Sequence, residues 1–211
     1  MLKKIFVFVL CLSLLPFDTK GQDTKNILDK VVAIFEKSSG LQADYDATVF
    51  RGNQKQGDSQ GTIYVKKEKF HISTPQLLAW FDGKTQWMLL KNSDEVNVTV
   101  PTKEEIRKNN PYSFIYIYKK GYALSHQTTN YNNKKCYQVK LKAQNPHQKI
   151  KEVYLTIDAK TYLPLYIEIA EDKNIRTQIK VRNVKNNQNF SNSLFVFNKK
   201  EYPNIEIIDL R

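Results

Sequence analysis

The residues of this chain that could perform acid–base, nucleophilic or metal chemistry are few and far apart. Its three histidines are His71, His126 and His147, and no two have the i, i+4 spacing with which one helix face binds a metal ion. Cys136 has no recognisable partner base, and such a cysteine is more often structural than catalytic. The chain contains no Cys-x-x-Cys pair, glycine-rich phosphate loop or Gly-x-Ser-x-Gly motif. We therefore expect no enzyme activity, no cofactor and no metal site.

Two acidic patterns have structural explanations. The Asp82–Gly83 pair lies between two alternating segments and predicts a hairpin turn. Glu104 and Glu105 are adjacent, and adjacent helical residues point in different directions, so they do not form a carboxylate pair. Negative charge at a helix N-terminus is the better interpretation.

The N-terminus has the pattern of an export signal. Lys3 and Lys4 precede the apolar residues 5–15, a run too short to span a bilayer, which needs about 20 residues. We predict a signal peptide over residues 1–21 and one domain over residues 22–211. The sequence therefore predicts an exported protein.

Charge and cysteine usage narrow the classes of partner. The chain carries a formal net charge of +12, which suits an anionic membrane surface or an acidic partner, or is simply a solvated basic surface. Its lysines are scattered rather than gathered in a stripe, which together with export argues against nucleic acid. Only Cys136 remains in residues 22–211, so no internal disulfide is possible, and we expect a core-stabilised monomer.

Hydrophobic periodicity defines one helix followed by many strands. Ile27, Leu28, Val31 and Phe35 recur at helical spacing. Period-two alternation then predicts strands at about 42–51, 58–67, 68–74, 77–82, 85–91, 95–100, 122–130, 135–142, 150–158, 163–170 and 175–184, with a last short pair near 194–197 and 204–208. Such a series favours a mainly β, antiparallel meander that curls as strand twist accumulates.

A helical interruption lies in the middle of the chain. Thr102 to Glu105 is a capping-box pattern that opens a short helix. Residues 111–118 then predict a second short helix, which is apolar almost all round. We interpret this segment either as part of the core or as a flap over an apolar hollow.

The order of several motifs resembles a known family. The chain has Gly61-Thr-Ile-Tyr-Val-Lys-Lys67, then Asp82-Gly-Lys-Thr-Gln-Trp87, then Asn110-Pro111 before the second helix, and ends in Ile207-Ile-Asp-Leu-Arg211. Over essentially the whole mature chain it resembles the periplasmic outer-membrane lipoprotein carriers of the LolA type, especially the Bacteroidetes version. The resemblance implies an unclosed antiparallel β-barrel of about 10–12 strands, with an N-terminal amphipathic helix and a short mid-chain helical lid over an apolar cavity.

The resemblance also implies a function and its partners. The chain would accept acylated lipoproteins from an inner-membrane ABC lipoprotein-release transporter, shield their acyl chains and deliver them to the outer membrane, with a possible acceptor there and transient contact with membranes. At about 0.8 kcal/mol per buried CH₂, an acyl chain of about 16 carbons is worth roughly 12 kcal/mol in an apolar pocket. Binding must nevertheless be reversible.

The resemblance and strand parity together suggest site residues. In proteobacterial members an arginine after the first motif holds the lid shut; here Lys67 is the nearest match, and lysine lacks the planar fork of arginine. The expected cavity residues are Phe70, Ile72, Trp87, Leu89, Val98, Val100, Phe114 and Ile117. A register error of one residue turns a whole strand outward.

Two other functions fit the same pattern. The barrel could carry or sense another amphiphile, such as a glycolipid. Alternatively, the chain could be an envelope assembly protein whose hollow is filled by its own side chains. The sequence does not identify the cargo or the lid latch.

Overall fold

The computed structural model describes residues 19–103, 105–106, 111–119 and 121–211. Helix α1 spans Thr19–Lys37 and carries its apolar side chains on one face, where Leu28 and Val31 are fully buried. The predicted signal peptide lies almost wholly outside the described residues. None of the helices within the described ranges combines the length and the apolarity needed to span a bilayer.

Twelve strands follow, in one unclosed sheet. They are β1 (Leu41–Arg51), β2 (Gln54–Lys66), β3 (Lys69–Ser73), β4 (Leu77–Phe81), β5 (Gln86–Leu90), β6 (Glu95–Thr99), β7 (Tyr122–Tyr131), β8 (Lys134–Ala143), β9 (Ile150–Asp158), β10 (Pro164–Glu171), β11 (Ile175–Lys185) and β12 (Glu206–Asp209). Their spatial order is β12-β6-β5-β4-β3-β2-β1-β11-β10-β9-β8-β7. The predicted mainly β fold with an open sheet and an N-terminal helix is confirmed.

The sheet consists of two antiparallel meanders joined at its centre. Strands β1 to β6 form one meander and β7 to β11 the other, and β1 pairs antiparallel with β11 to join them. At one edge, β12 pairs parallel with β6, so the sheet is not purely antiparallel.

Between the meanders lie two helical segments. Thr102 and Glu105 form the predicted capping box: the Glu105 carboxylate accepts from the Thr102 backbone N–H at 2.7 Å, and the Thr102 hydroxyl accepts from the Glu105 N–H at 3.3 Å. The second segment is a 3₁₀ helix over Pro111–Lys119, called here the lid helix.

One face of the sheet, called here the inner face, packs against α1. Its buried side chains come from β1 to β4 and from β8 to β11: Leu41, Ala43, Ile63, Val65, Phe70, Ile72, Ala79, Phe81, Val139, Leu141, Val153, Leu155, Ile157, Ile167, Ile169, Ile179 and Val181. They form one continuous cluster with the apolar face of α1 and with Ile115 and Tyr118 of the lid helix. Burial of this apolar surface is the main source of stability.

The opposite side is called here the outer face, and residues 188–205, named the strap, cover it over β2 to β6. The strap is fastened at Gln188, whose N–H donates to the Gly40 carbonyl at 2.8 Å, and at Phe190, whose carbonyl accepts from Lys66 Nζ at 2.6 Å. A Cβ on Gly40 would lie 2.5 Å from the Gln188 oxygen, so only glycine allows this approach.

The last predicted strand pair is wrong in part. Residues Asn192–Phe195 form a 3₁₀ helix instead of a strand, with the Ser191 hydroxyl accepting from the Ser193 N–H at its start. The apolar residues that suggested a strand here include Phe195 and Phe197, which are 0% and 7% exposed because they anchor the strap on the sheet. Of the last predicted pair, only the second segment is a strand: it is β12, and it pairs with β6.

Candidate functional site

The inner face contains the first pair of predicted cavity residues. Phe70 and Ile72 both lie on β3 in the main cluster, with 0% and 6% of their surface exposed. On β4, Phe81 pairs with Phe70 and Ala79 pairs with Ile72. The ring centroids of Phe70 and Phe81 are 5.2 Å apart.

Helical segments cover this part of the inner face. Ile115 of the lid helix is fully buried, and Ile117, another predicted cavity residue, is half-buried against the same cluster. The predicted residue Phe114 belongs to the lid helix, but its side chain lies outside the described part of the structure. In this conformation α1 and the lid helix occupy the apolar centre of the face.

Beyond the covered region the inner face continues into a cavity of about 460 Å³. It lies at the β5–β6 end of the sheet, next to the Thr102 capping box and the C-terminus. Its lining is Gln86, Met88, Thr99, Val100, Pro101, Glu105, Leu210 and Arg211. Val100, a predicted cavity residue, is 53% exposed here because β6 ends at Thr99. The cavity mixes apolar and polar groups and is open to solvent at its rim.

Three predicted cavity residues lie on the other side of the sheet. Trp87 pairs with Trp80 and with Val98, and Leu89 pairs with Leu78, all on the outer face. The register puts Gln86 opposite Phe81, so the inner positions of β5 are Gln86 and Met88. The expectation that Trp87, Leu89 and Val98 share a face with Phe70 is therefore corrected: all three lie on the outer face, where Trp87 and Leu89 pack with Phe197 of the strap.

A hydrogen bond joins the lid helix to α1. The Tyr118 hydroxyl donates to Asp29 Oδ1 at 2.5 Å, while Lys25 Nζ forms an ion pair with Asp29 Oδ2 at 2.6 Å. Hydrogen bonds from Lys25 and from Tyr118 hold the pKa of Asp29 below its ordinary value. Burial, and then the bond to Asp29, raises the pKa of Tyr118. The Asp29 carboxylate is thus charged and the Tyr118 hydroxyl neutral throughout the physiological pH range.

The predicted latch residue lies elsewhere. Lys67 is exposed in the β2–β3 turn with a φ of 56°. Its neighbour Lys66 makes a hydrogen bond from this corner, to the strap rather than to the lid helix. Sequence reasoning missed the Tyr118–Asp29 bond, because the two residues are 89 positions apart and neither belongs to a recognisable motif.

Comparison with known proteins identifies the family of this fold. The sequence model described as outer membrane lipoprotein carrier protein LolA matches residues 14–173. The chain belongs to the LolA family. The match ends before β11, so the strap and β12 of this LolA-family chain lie beyond the matched residues.

One solved structure supports the architecture, and others are similar to parts of it. An uncharacterized conserved protein from Thermus thermophilus superposes with a TM-score of 0.59 at 12% identity, over 89% of this chain and 99% of that one. A putative outer membrane lipoprotein-sorting protein domain from Vibrio parahaemolyticus gives 0.44 at 11% identity over 86% and 99%. A LolA superfamily protein from Nitrosomonas europaea gives 0.42 at 9% identity over 82% and 97%. A comparison with curated proteins found no significant match.

The LolA family fold is a binding fold of the carrier type. Within the described residues, no group of three or more histidine, cysteine, aspartate or glutamate side chains could hold a metal ion. Cys136 is buried, and burial raises the pKa of its thiol, which disfavours the reactive thiolate.

Proposed function

We propose that this chain is a periplasmic carrier that shields the acyl chains of lipoproteins on its inner face and transfers them to the outer membrane. The observation that carries the proposal is the continuity of the apolar inner face with the solvent-open cavity at its β5–β6 end. An acyl chain that enters beside Met88 and Val100 would meet Ala79 and Phe81 next, since the register places them on the adjacent strand of the same face.

The closed arrangement supports reversible binding. Phe70 and Ile115 are fully buried, so an acyl chain reaches the centre of the inner face only if the lid helix moves away. Each buried CH₂ contributes about 0.8 kcal/mol, and displacement of the lid helix opposes this gain. The Tyr118–Asp29 bond would therefore act as a latch, in the role first expected of Lys67.

The proposed cargo indicates which partners would load and unload the carrier. Lipoproteins leave the inner membrane through an ABC transporter, which would load the carrier, and the outer membrane or an acceptor on it would receive the acyl chains. The net charge of +12 supports transient contact with anionic membrane surfaces.

The proposal can be tested with a charge placed in the cavity. Val100→Glu puts a carboxylate where the acyl chain would enter, and it costs little folding energy because Val100 is 53% exposed. Binding of a fluorescent palmitate and of a triacylated peptide is measured by titration. We expect Val100→Glu to weaken both by at least about tenfold, because the acyl chain would have to desolvate the new charge.

The matched control is Ile207→Glu on β12. Ile207 is 46% exposed and is not among the residues that line the cavity, so the same substitution there should leave binding unchanged. Circular dichroism verifies that both variants are folded. Absence of acyl binding in the wild-type chain, or equal weakening in the two variants, would contradict the proposal.

A further inference from the structure

A second cavity lies on the outer face, beneath the strap. Its volume is about 670 Å³, and it is bounded by β3 and β4 on one side and by strap residues 192–202 on the other. His71 and Trp80 supply the sheet side, while Phe197, Glu201 and Tyr202 supply part of the strap side. The sheet itself separates this cavity from the inner face, so acyl binding does not explain it.

Aromatic rings form its apolar surfaces. The ring of Trp80 lies 5.5 Å from that of Phe197 and 5.8 Å from that of Tyr202, at interplanar angles of 71° and 72°. On the other side Trp80 stacks on His71 at 5.2 Å. Trp80 and Phe197 are only 6% and 7% exposed, because these rings pack mainly on one another. The half-buried His71 and Tyr202 therefore supply most of the aromatic surface in the cavity, against which a small ring could pack.

The polar groups of the cavity can both donate and accept hydrogen bonds. His71 Nδ1 lies 3.1 Å from the Ala79 carbonyl, which only accepts, so Nδ1 carries the hydrogen and Nε2 is the acceptor in the neutral ring. Burial lowers the pKa of His71 and keeps the ring neutral. Asn192 and the Tyr202 hydroxyl add groups that can donate as well as accept.

Charge restricts the class of ligand. Glu201 is the one charged side chain among the residues that line the cavity, and Asn198 Nδ2 donates to its Oε1 at 2.8 Å. Because no lysine or arginine side chain lines the cavity, the Glu201 carboxylate disfavours binding of anions there, although the chain as a whole has a formal net charge of +12. A purely apolar ligand would leave these polar groups without partners, which costs free energy.

We propose that the outer-face cavity binds a neutral sugar ring of the hexopyranose class. Such a ring presents its C–H faces to the aromatic surfaces and carries hydroxyl groups at its edge. These hydroxyl groups can donate hydrogen bonds to Glu201 and His71. They can also accept hydrogen bonds from Asn192 and Tyr202. A simple amine satisfies the carboxylate alone and uses the remaining polar groups poorly. The site is separate from the acyl-binding face and does not rest on the carrier function.

The test follows the two tryptophan side chains by NMR. The chain has only Trp80 and Trp87, so the indole Nε1–H signals are assigned with Trp87→Phe. The probes are methyl β-D-glucopyranoside, methyl β-D-galactopyranoside and N-acetylglucosamine, with butylamine and inorganic phosphate for comparison. We expect at least one sugar to shift the Trp80 signal saturably, while butylamine and phosphate do not.

Two variants locate the interaction. Glu201→Gln should weaken sugar binding by about tenfold, since a charge-assisted hydrogen bond becomes a neutral one. Glu206→Gln, an exposed position outside the cavity, should leave it unchanged. Sugar binding should also persist in Val100→Glu, which perturbs the inner cavity alone. The proposal would be overturned by any of three results. None of the three sugars shifts the Trp80 signal, butylamine or phosphate binds there instead, or the two glutamate variants have equal effects.

Discussion

Removal of the Tyr118 hydroxyl should loosen the lid helix by a calculable amount. A hydrogen bond to a charged group is worth about 1.5–3 kcal/mol when buried. Asp29 has 42% of its side chain exposed, so solvent screening reduces this value to about 1 kcal/mol. Tyr118→Phe keeps the ring and its packing. We therefore expect the opening equilibrium of residues 111–119 to rise about fivefold.

Hydrogen exchange measured by mass spectrometry reports this change directly. The peptide that spans residues 111–119 should exchange about fivefold faster in Tyr118→Phe at neutral pH. Tyr116→Phe is the matched control, because it makes the same substitution on the same helix at a side chain that is 39% exposed. Unchanged exchange in Tyr118→Phe, or equal acceleration in both variants, would refute the latch.

The same variant has a signature in the titration of Asp29. Its pKa lies below 3.8 in the folded chain, so the stabilisation that it provides is present above pH 3.8 and is lost as the pH falls through the folded value. In Tyr118→Phe the pKa should rise but stay below 3.8, because Lys25 makes the larger contribution. NMR of the carboxyl carbon measures both values.

Two further substitutions test the sheet. Gly61→Ala would place a Cβ 2.4 Å from the Ser73 backbone oxygen and should destabilise the chain by roughly 1–3 kcal/mol in urea denaturation, whereas Gly57→Ala, with nothing within 4 Å, should not. Asp44 accepts hydrogen bonds from side chains on both neighbouring strands, with the largest effect from Asn183, and its pKa is lowered. Asp44→Asn should therefore cost about 1–2 kcal/mol at pH 7, and this difference should shrink as the pH falls below 3.8, where the wild-type chain loses the same stabilisation.

Local patterns predict most of the fold. The alternation of Val139 and Leu141, or of Val153 and Leu155, identifies strands because one face of each is buried. The Asp82 turn is equally readable: its carboxylate accepts from the N–H groups of Lys84 and Thr85 at 2.8 and 2.7 Å. Both signals operate over a few residues.

Which face of a strand points inward is harder to predict on β5. Trp87 and Leu89 are larger and more apolar than Gln86, so parity alone assigns them to the interior. The inner side of β5 lines the solvent-open cavity, whereas the strap covers its outer side, and the large side chains pack under the strap. Nothing near β5 in the sequence indicates that residues 188–205 return to cover it.

The pairing of β1 with β11 has a consequence for how the chain folds. Each meander forms from neighbouring strands, but the central pair joins residues such as Asp46 and Arg182, whose side chains meet at 2.8 Å across 136 positions. Entropy opposes the closure of so long a loop, and contacts of this range slow folding. We expect the two halves to acquire structure early and independently, with their union as the rate-limiting event.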